Sequence, residues 1–223
     1  MQAKNGNQSE AITENDYYRQ MKLLARQKRD EYEIGSQKVS LSLLRKIYKQ
    51  EEIAIDYWDL KSPRIKASYH CDGIDASVLV KKSLPDEPKL FALIHELKHH
   101  FVDREGIINC EFACGDYNAN KFIEVGAEVF AAEFIFPELE MKQSLTGFGI
   151  TQLTCTPEKV VEYKRNCGAC VSYQYIIKRL EFFHIIEKHS YDKVKFKSLE
   201  ETIYPPIYKQ KSFMEARKRK YIN

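Results

Sequence analysis

Residues 90–101 have the sequence LFALIHELKHHF, and we expect this stretch to be the central element of the fold. Its apolar side chains recur at the 3.6-residue period of a helix and predict one half-buried face: Leu90, Ile94, Leu97 and Phe101. Asp86 is placed to be the N-cap of this helix, and Pro88 fits its first turn. The stretch therefore predicts a helix that packs one face against a core.

The same helix carries the motif H-E-x-x-H at His95, Glu96 and His99. The two imidazoles are four residues apart, so they project from one side of the helix about one turn apart. This spacing is typical of two zinc ligands, with the glutamate placed to activate a water molecule. The alternative is a solvated helix face that binds no metal. The motif adjoins the apolar face instead of opposing it, which favours the metal site.

A second apolar helix is predicted at residues 121–136, KFIEVGAEVFAAEFIF, and Pro137 ends it. This helix is apolar around most of its circumference, so we expect it to be buried. Glu124 and Glu128 are four residues apart within that apolar surface, and a buried carboxylate is costly unless it is paired or binds a metal. Either residue could be the third ligand, and an ion pair with a distant Lys or Arg is the alternative. Glu133 is expected to face solvent.

The composition, 43% hydrophobic and 30% charged, describes a soluble globular protein, and 223 residues suffice for one sizeable core or for one core with a small appended module. No apolar run is long enough to cross a bilayer, and the N-terminal residues lack the apolar segment of a signal peptide. We therefore expect a cytoplasmic protein without a membrane partner. In that reducing compartment the six cysteines are expected to be thiols or ligands and not disulfides.

Four of the cysteines occur as two closely spaced pairs, Cys110-x3-Cys114 and Cys167-x2-Cys170. Together the pairs could form a four-thiolate structural zinc site. Against this, Cys170 falls in a predicted turn where a small buried residue is expected. We therefore favour packing roles for these cysteines over a second metal.

The first 82 residues predict two helices followed by a small sheet. Residues 14–32 have helical apolar spacing, and Ser40 is expected to cap a second helix. Ile53–Trp58 has the composition of a short extended segment. The runs on either side of Asp72-Gly73 predict an antiparallel pair that leads into the motif helix. A strand so placed could bind an extended peptide by edge addition, holding it across the metal.

The C-terminal part is basic: from Thr151 onward 15 Lys and Arg stand against 8 Asp and Glu, a balance of +7 in a chain of net charge +3. One helix is expected to start at Thr156 or its neighbour, and Ser172 is expected to cap a second helix after a short Gly-containing turn, the outline of a helix-turn-helix. Residues 139–153 are expected to be a connector, and residues 191–197 alternate like an exposed edge strand. Partner binding, nucleic-acid binding and a plain solvated surface are all compatible with this charge.

Two stretches together resemble the ImmA/IrrE family of metallopeptidases. The first is H-E-x-x-H at residues 95–99, and the second is E-x-x-A-x-x-F-A-A at residues 124–132, with Pro137 close behind. Residues 171–180 also resemble the downstream helical module of that family. The similarity covers roughly residues 44–186.

This resemblance implies that Glu124, the first glutamate of the second stretch, is the third zinc ligand. Glu128 occupies a position that the family usually fills with Asn or Asp, and the resemblance implies for it a role in orienting a ligand. Members of the family typically lie beside helix-turn-helix repressors of phages, mobile elements or stress regulons, and they relieve repression by cleaving the repressor. The implied substrate is therefore such a repressor.

The predicted activity is that of a cytoplasmic zinc endopeptidase. Zn²⁺ is expected at the three ligands, with a water molecule at the fourth position and Glu96 moving its proton. His100 and Tyr69 are candidates for stabilising the transition state, and the sequence singles out neither. The predicted fold is α+β: a mostly helical, minimal zincin-like core with a small antiparallel sheet, plus a C-terminal helix-turn-helix-like module.

Three segments are predicted: an N-terminal helical extension at 1–38, the metallopeptidase core at 39–150, and the C-terminal module with its basic tail at 151–223. The competing interpretation is a regulatory protein without proteolytic activity. It would bind a repressor, DNA or an antitoxin-like partner, and its metal site would be structural or vestigial. A purely structural zinc has no need of Glu96, so the intact motif favours the enzyme.

Overall fold

The structure, a computed structural model, describes four stretches of the chain: residues 13–36, 38–59, 65–109 and 121–206. The predictions for Cys110, Cys114 and the basic tail from Met214 to Lys220 fall outside these described residues. Helices predominate in the described part, and three strands form one sheet, so the α+β class is confirmed.

The helices lie at α1 (Glu14–Glu31), α2 (Leu41–Gln50), α3 (Asp86–Lys98), α4 (Arg104–Ile108), α5 (Lys121–Ile135), α6 (Glu138–Gly147), α7 (Pro157–Asn166), α8 (Tyr173–Phe182) and α9 (Phe196–Ile203). The strands are β1 (Ile53–Trp58), β2 (Ala67–Cys71) and β3 (Ala76–Lys81). A π-helical turn, His99–Asp103, joins α3 to α4.

The sheet has the strand order β1-β3-β2, which makes β2 an edge strand. β2 and β3 pair antiparallel with Tyr69 opposite Val78, so the hairpin predicted around Asp72-Gly73 is confirmed. β1 pairs with β3 in parallel, so the prediction of a purely antiparallel sheet is wrong and the sheet is mixed. The connection from β1 to β2 is too long for a two-residue hairpin turn, and β1 pairs with β3 instead of β2.

The motif helix α3 lies in the core and packs against β2, β3 and α5. The predicted apolar positions Leu90, Ile94 and Leu97 are buried, as is Leu93. The hydroxyl of Tyr48 in α2 donates to the Leu93 carbonyl across 2.6 Å, which fixes α2 against the middle of α3. Burial of this kind stabilises the helix more than its intrinsic propensity does.

Two details at the ends of α3 differ from the prediction. Asp86 is the first helical residue, and Pro85 occupies the N-cap position that Asp86 was expected to fill. A negative charge in the first turn still suits the helix dipole. At the other end, Phe101 falls in the π-helical turn, which rotates it away from the buried face, and its side chain is half-buried.

Helix α1 packs along α5, and charged side chains tie the two together. Arg26 Nη2 lies 2.7 Å from Oε1 of Glu133, whose side chain has 0% exposure. Arg29 Nη1 donates to the Phe134 carbonyl across 2.6 Å. The expectation that Glu133 faces solvent is therefore wrong, because α1 supplies a cation that compensates the buried carboxylate.

Residues beyond Pro137 form helices, and two predictions there are wrong. The expected connector at 139–153 contains α6, whose Met141 and Leu145 are buried one turn apart. The expected edge strand at 191–197 is absent from the described residues, and α9 begins at Phe196 instead. Phe196 is buried and stacks on Tyr173 with ring centroids 5.0 Å apart, so its burial comes from helix packing and not from strand alternation.

Helix α7 begins where it was predicted to start, and α8 begins after the predicted cap Ser172. The side chain of Thr156 accepts from the Lys159 N–H, and that of Ser172 accepts from the Tyr175 N–H. Between the helices, Gly168 adopts a φ of 68°, a left-handed conformation that glycine enters without steric cost. A helix-turn-helix function for this pair stays a prediction.

The chain forms two compact units, Met1–Pro137 and Glu138–Asn223. The three-segment division at residues 38 and 150 stays a prediction. None of the described helices combines the length and apolar character needed to cross a membrane.

Candidate metal centre

Three helical segments of the first unit bring three potential ligands together. His95 lies in α3, His99 begins the π-helical turn that follows, and Glu124 lies in the first turn of α5. Nε2 of His95 is 3.3 Å from Nε2 of His99 and 3.0 Å from Oε2 of Glu124. Nε2 of His99 is 3.7 Å from Oε1 of Glu124. The structure therefore groups Glu124, and not Glu128, with the two imidazoles.

These separations fit a tetrahedral zinc ion. Zinc takes imidazole nitrogen and carboxylate oxygen ligands at about 2.0–2.1 Å, so two ligands of a tetrahedron lie about 3.3 Å apart. The measured separations lie between 3.0 and 3.7 Å. Two imidazoles and one carboxylate also form a donor set typical of catalytic zinc, which keeps one position open.

Glu96 lies next to this triad and is nearly buried, with 5% exposure. Its Oε2 accepts a hydrogen bond of 2.9 Å from the backbone N–H of Tyr69 in β2. Burial raises the pKa of the Glu96 carboxyl, while the nearby His95 and His99 act to lower it. A carboxylate whose pKa is shifted toward neutrality is suited to accept and return a proton.

The triad also affects the titration of His95. Burial disfavours the charged imidazolium, but the hydrogen bond to Glu124 and the negative charges of Glu96 and Glu124 together outweigh it, and the pKa of His95 is raised. The charge of Glu128, one helical turn beyond Glu124, contributes to the same rise. Glu128 therefore acts electrostatically on the centre, and its predicted role in orienting a ligand stays a prediction.

Asp103 and Lys98 complete the centre on its buried side, and the sequence reasoning singled out neither. Oδ2 of Asp103 accepts a hydrogen bond of 2.7 Å from Nδ1 of His99, which leaves Nε2 directed at the other two ligands. Nζ of Lys98 donates to the same Oδ2 across 2.5 Å. The available signal was the spacing, because Asp103 is four residues after His99 and faces the same side of the helix.

The two candidates for transition-state stabilisation are hydrogen-bonded to each other. The Tyr69 hydroxyl and Nδ1 of His100 are 3.0 Å apart, and both side chains are buried. On its other nitrogen, His100 lies 3.7 Å from Oε2 of Glu51. Burial lowers the pKa of His100. Tyr69 thus contributes its backbone to Glu96 and its hydroxyl to His100.

Comparison with protein families identifies the part of the chain that carries this centre. The family described as IrrE N-terminal-like domain, Peptidase_M78, matches residues 50–158, just under half of the chain. The matched span contains β1 to α6 and therefore every residue of the candidate centre, but it excludes α1. Comparison with curated proteins gives no match.

Proposed function

Since residues 50–158 belong to the IrrE N-terminal-like family of M78 peptidases, we propose that the protein is a zinc-dependent endopeptidase. The observation that carries the proposal is the convergence of His95, His99 and Glu124 beside the buried carboxylate of Glu96. A purely structural zinc site needs a fourth protein ligand and no base, whereas this arrangement offers three ligands and a base.

The residues divide the chemical work between them. His95, His99 and Glu124 would hold Zn²⁺, which when bound would supply Lewis acidity to polarise a substrate carbonyl and make a water molecule more acidic. The Tyr69 N–H holds Oε2 of Glu96, which leaves Oε1 to take the proton of the attacking water and to deliver it to the leaving amine nitrogen. Burial of Glu96 keeps bulk water from competing for that proton.

The position of the edge strand β2 supports the proposal that the substrate is an extended peptide. Lys81 N–H donates to the Lys66 carbonyl, so residue 66 faces β3 and alternate residues of β2 face the opposite edge. The Tyr69 N–H, which reaches Glu96, lies on that opposite edge, together with the peptide groups of Ala67 and Cys71. An extended peptide added to this edge would pass directly beside the base and the ligands.

The proposed substrate is a helix-turn-helix repressor of a mobile element, phage or stress regulon, following the resemblance to the ImmA/IrrE family. Purified protein loaded with zinc would be mixed with a repressor encoded beside its gene, and fragments would be measured by mass spectrometry. We expect cleavage that a chelator stops and added zinc restores. An intact repressor after incubation with protein of verified zinc content would exclude it as substrate.

The regulatory alternative makes a different prediction in cells. If repression is relieved by binding alone, Glu96→Gln keeps cellular function while His95→Ala abolishes it, and the protease proposal fails. If the protein cleaves the repressor, both variants lose function. If the protein acts instead by binding DNA, its binding to duplex DNA should be detectable at low salt and weaken steeply as salt rises.

A further inference from the structure

We propose that Lys98 and Asp103 are positioning residues for the metal and that Tyr17 of α1 encloses them. Metal affinity would then depend on a helix outside the residues that match the peptidase family. This inference rests on the proposed zinc site, and its test separates the two. It assigns a role to a buried lysine that the proteolytic chemistry does not use.

Lys98 has contacts to both ligand-bearing segments. Its side chain has 0% exposure, and a buried ammonium is costly unless it is paired and hydrogen-bonded. Nζ donates to Oδ2 of Asp103 across 2.5 Å and to the carbonyl of Ile123 across 3.2 Å. Asp103 contacts the ligand His99, and Ile123 directly precedes the ligand Glu124. A single cation therefore connects the π-helical turn to the start of α5.

Asp103 transmits this contact to the metal site through one oxygen atom. Oδ2 accepts from Lys98 and also from Nδ1 of His99, 2.7 Å away. This oxygen is held between the Lys98 ammonium and the His99 ring, so it faces Nδ1 and can accept only a hydrogen carried there. Nε2 is then an acceptor, which is the state that binds a metal. The π-helical turn places the two side chains on one face at this distance.

Tyr17 of α1 covers the buried Lys98–Asp103 pair. Nζ of Lys98 lies 5.5 Å from the centroid of the Tyr17 ring, within the range of a cation–π contact. The ring stacks on Phe122 of α5 at 4.2 Å, and a Cβ built on Gly126 would overlap Tyr17 Cε1. Burial, and then the Asp103 charge, raise the pKa of the Tyr17 hydroxyl. Helix α5 thus leaves room for the ring beside the Lys98–Asp103 pair.

A double-mutant cycle on zinc affinity tests the proposal in the full chain. The variants are Asp103→Asn, Lys98→Met and their combination, and affinity is measured by competition with a chromophoric chelator. Each single variant is expected to bind zinc about 10- to 100-fold more weakly than wild type. In the Asp103→Asn background, Lys98→Met is expected to add less than about threefold, because its main effect passes through Asp103.

Three controls accompany the cycle. Lys142→Met removes a half-exposed lysine that pairs with Glu138 at 2.7 Å, and it should leave zinc affinity unchanged. Tyr17→Phe keeps the ring and should retain affinity, whereas Tyr17→Ala should weaken it. The absorption spectrum of the Co²⁺-substituted protein should change in Asp103→Asn and not in Lys142→Met.

Zinc affinity within twofold of wild type in folded Lys98→Met or Asp103→Asn overturns this inference and leaves the peptidase proposal standing. Equal effects of Lys98→Met in both backgrounds also overturn it. A wild-type protein that binds no zinc overturns both proposals. Should the variants fail to fold, ¹H–¹⁵N correlation spectra of the wild type decide: a proton on Nδ1 of His99 is expected, and a proton on Nε2 contradicts the inference.

Discussion

The backbone N–H of Tyr69 donates to Oε2 of Glu96 across 2.9 Å, joining the edge strand β2 to the helix that carries the candidate ligands. The bond holds a buried carboxylate by one oxygen atom and fixes its orientation without using a side chain. For the proposed role as general base, this carboxylate is already positioned before a substrate arrives, so less reorganisation is needed during the reaction.

Glu96→Gln should separate proton transfer from metal binding. The amide nearly matches the carboxylate in size but cannot take a proton, so we expect kcat to fall by about 10²- to 10⁴-fold. Zinc affinity should stay close to that of wild type, because Glu96 is not one of the three ligands. Peptide cleavage followed by chromatography, with zinc content determined on the same sample, measures both. A variant that keeps wild-type kcat would exclude Glu96 as the base.

Glu124→Gln and Glu128→Gln form a matched pair on one helix. Glu124 lies 3.0 Å from His95, whereas Glu128 acts on that imidazole through its charge. We expect Glu124→Gln to weaken zinc binding by more than about 100-fold and Glu128→Gln to weaken it by less than about tenfold. Chelator competition gives both values, and the reverse order would make Glu128 the ligand.

Metal content should depend on one histidine cluster and not on another. Among the described residues, Glu181, His189 and Asp192 also lie close enough together to hold an ion, but His189 and Asp192 are exposed. We expect His95→Ala to abolish stoichiometric zinc and His189→Ala to leave one zinc per chain, as measured by atomic emission on dialysed protein. Loss of zinc in the His189 variant alone would move the metal to the second unit.

Acid pH should reduce the peptidase rate through Glu96. Burial raises the pKa of this carboxyl, and the base works only when it is ionised. Activity should therefore be full above the raised pKa and be lost as pH falls through it, at a higher pH than an exposed glutamate would give. A profile of kcat/KM against pH, with circular dichroism at each point to exclude unfolding, tests this. A rate that stays flat down to about pH 4.3, the value of an exposed glutamate, would contradict it.

Gly126→Ala should destabilise the protein although alanine normally favours helices. The added methyl group would overlap the Tyr17 ring, and overpacking of this kind costs about 1–3 kcal/mol. Gly147→Ala in α6 is the matched control, because nothing lies within 4 Å of its built Cβ. Urea unfolding of both variants measures the difference. A Gly126→Ala variant as stable as the control would mean that α1 does not contact α5 in this way.

Local sequence patterns were sufficient for the part of the centre that α3 carries. His95 and Glu96 lie in α3 and His99 directly follows it with helical backbone angles, so their relative positions follow from helical geometry alone. The burial of Glu124 could also be expected, because an acidic side chain in an otherwise apolar helix needs a compensating partner. The choice between Glu124 and Glu128 came from the family resemblance, and the structure places Glu124 beside the imidazoles.

The failures concern contacts between residues far apart in sequence. Glu133 is buried only because Arg26, 107 positions earlier, pairs with it. The parallel pairing of β1 with β3 depends on a connection whose path no periodicity encodes. The burial of Lys98, which no sequence pattern predicted, depends on Asp103 and on the Ile123 carbonyl, which accept its hydrogen bonds. Local periodicity predicts which face of an element is apolar, but not which charged residue will find a distant partner.

If a peptide substrate adds to the β2 edge as proposed, the hydrogen bond between Tyr69 and Glu96 also limits the conformation that this substrate can have. It occupies the central donor of the β2 edge, so an added peptide must pair on either side of it, at Ala67 and Cys71. Ala67 and Cys71 are about 13 Å apart along an extended strand. A helical segment is too short per residue to pair with both of them. A helix-turn-helix protein would have to unwind before it is cut. Its local unfolding equilibrium, more than its folded surface, would then set how fast it is degraded.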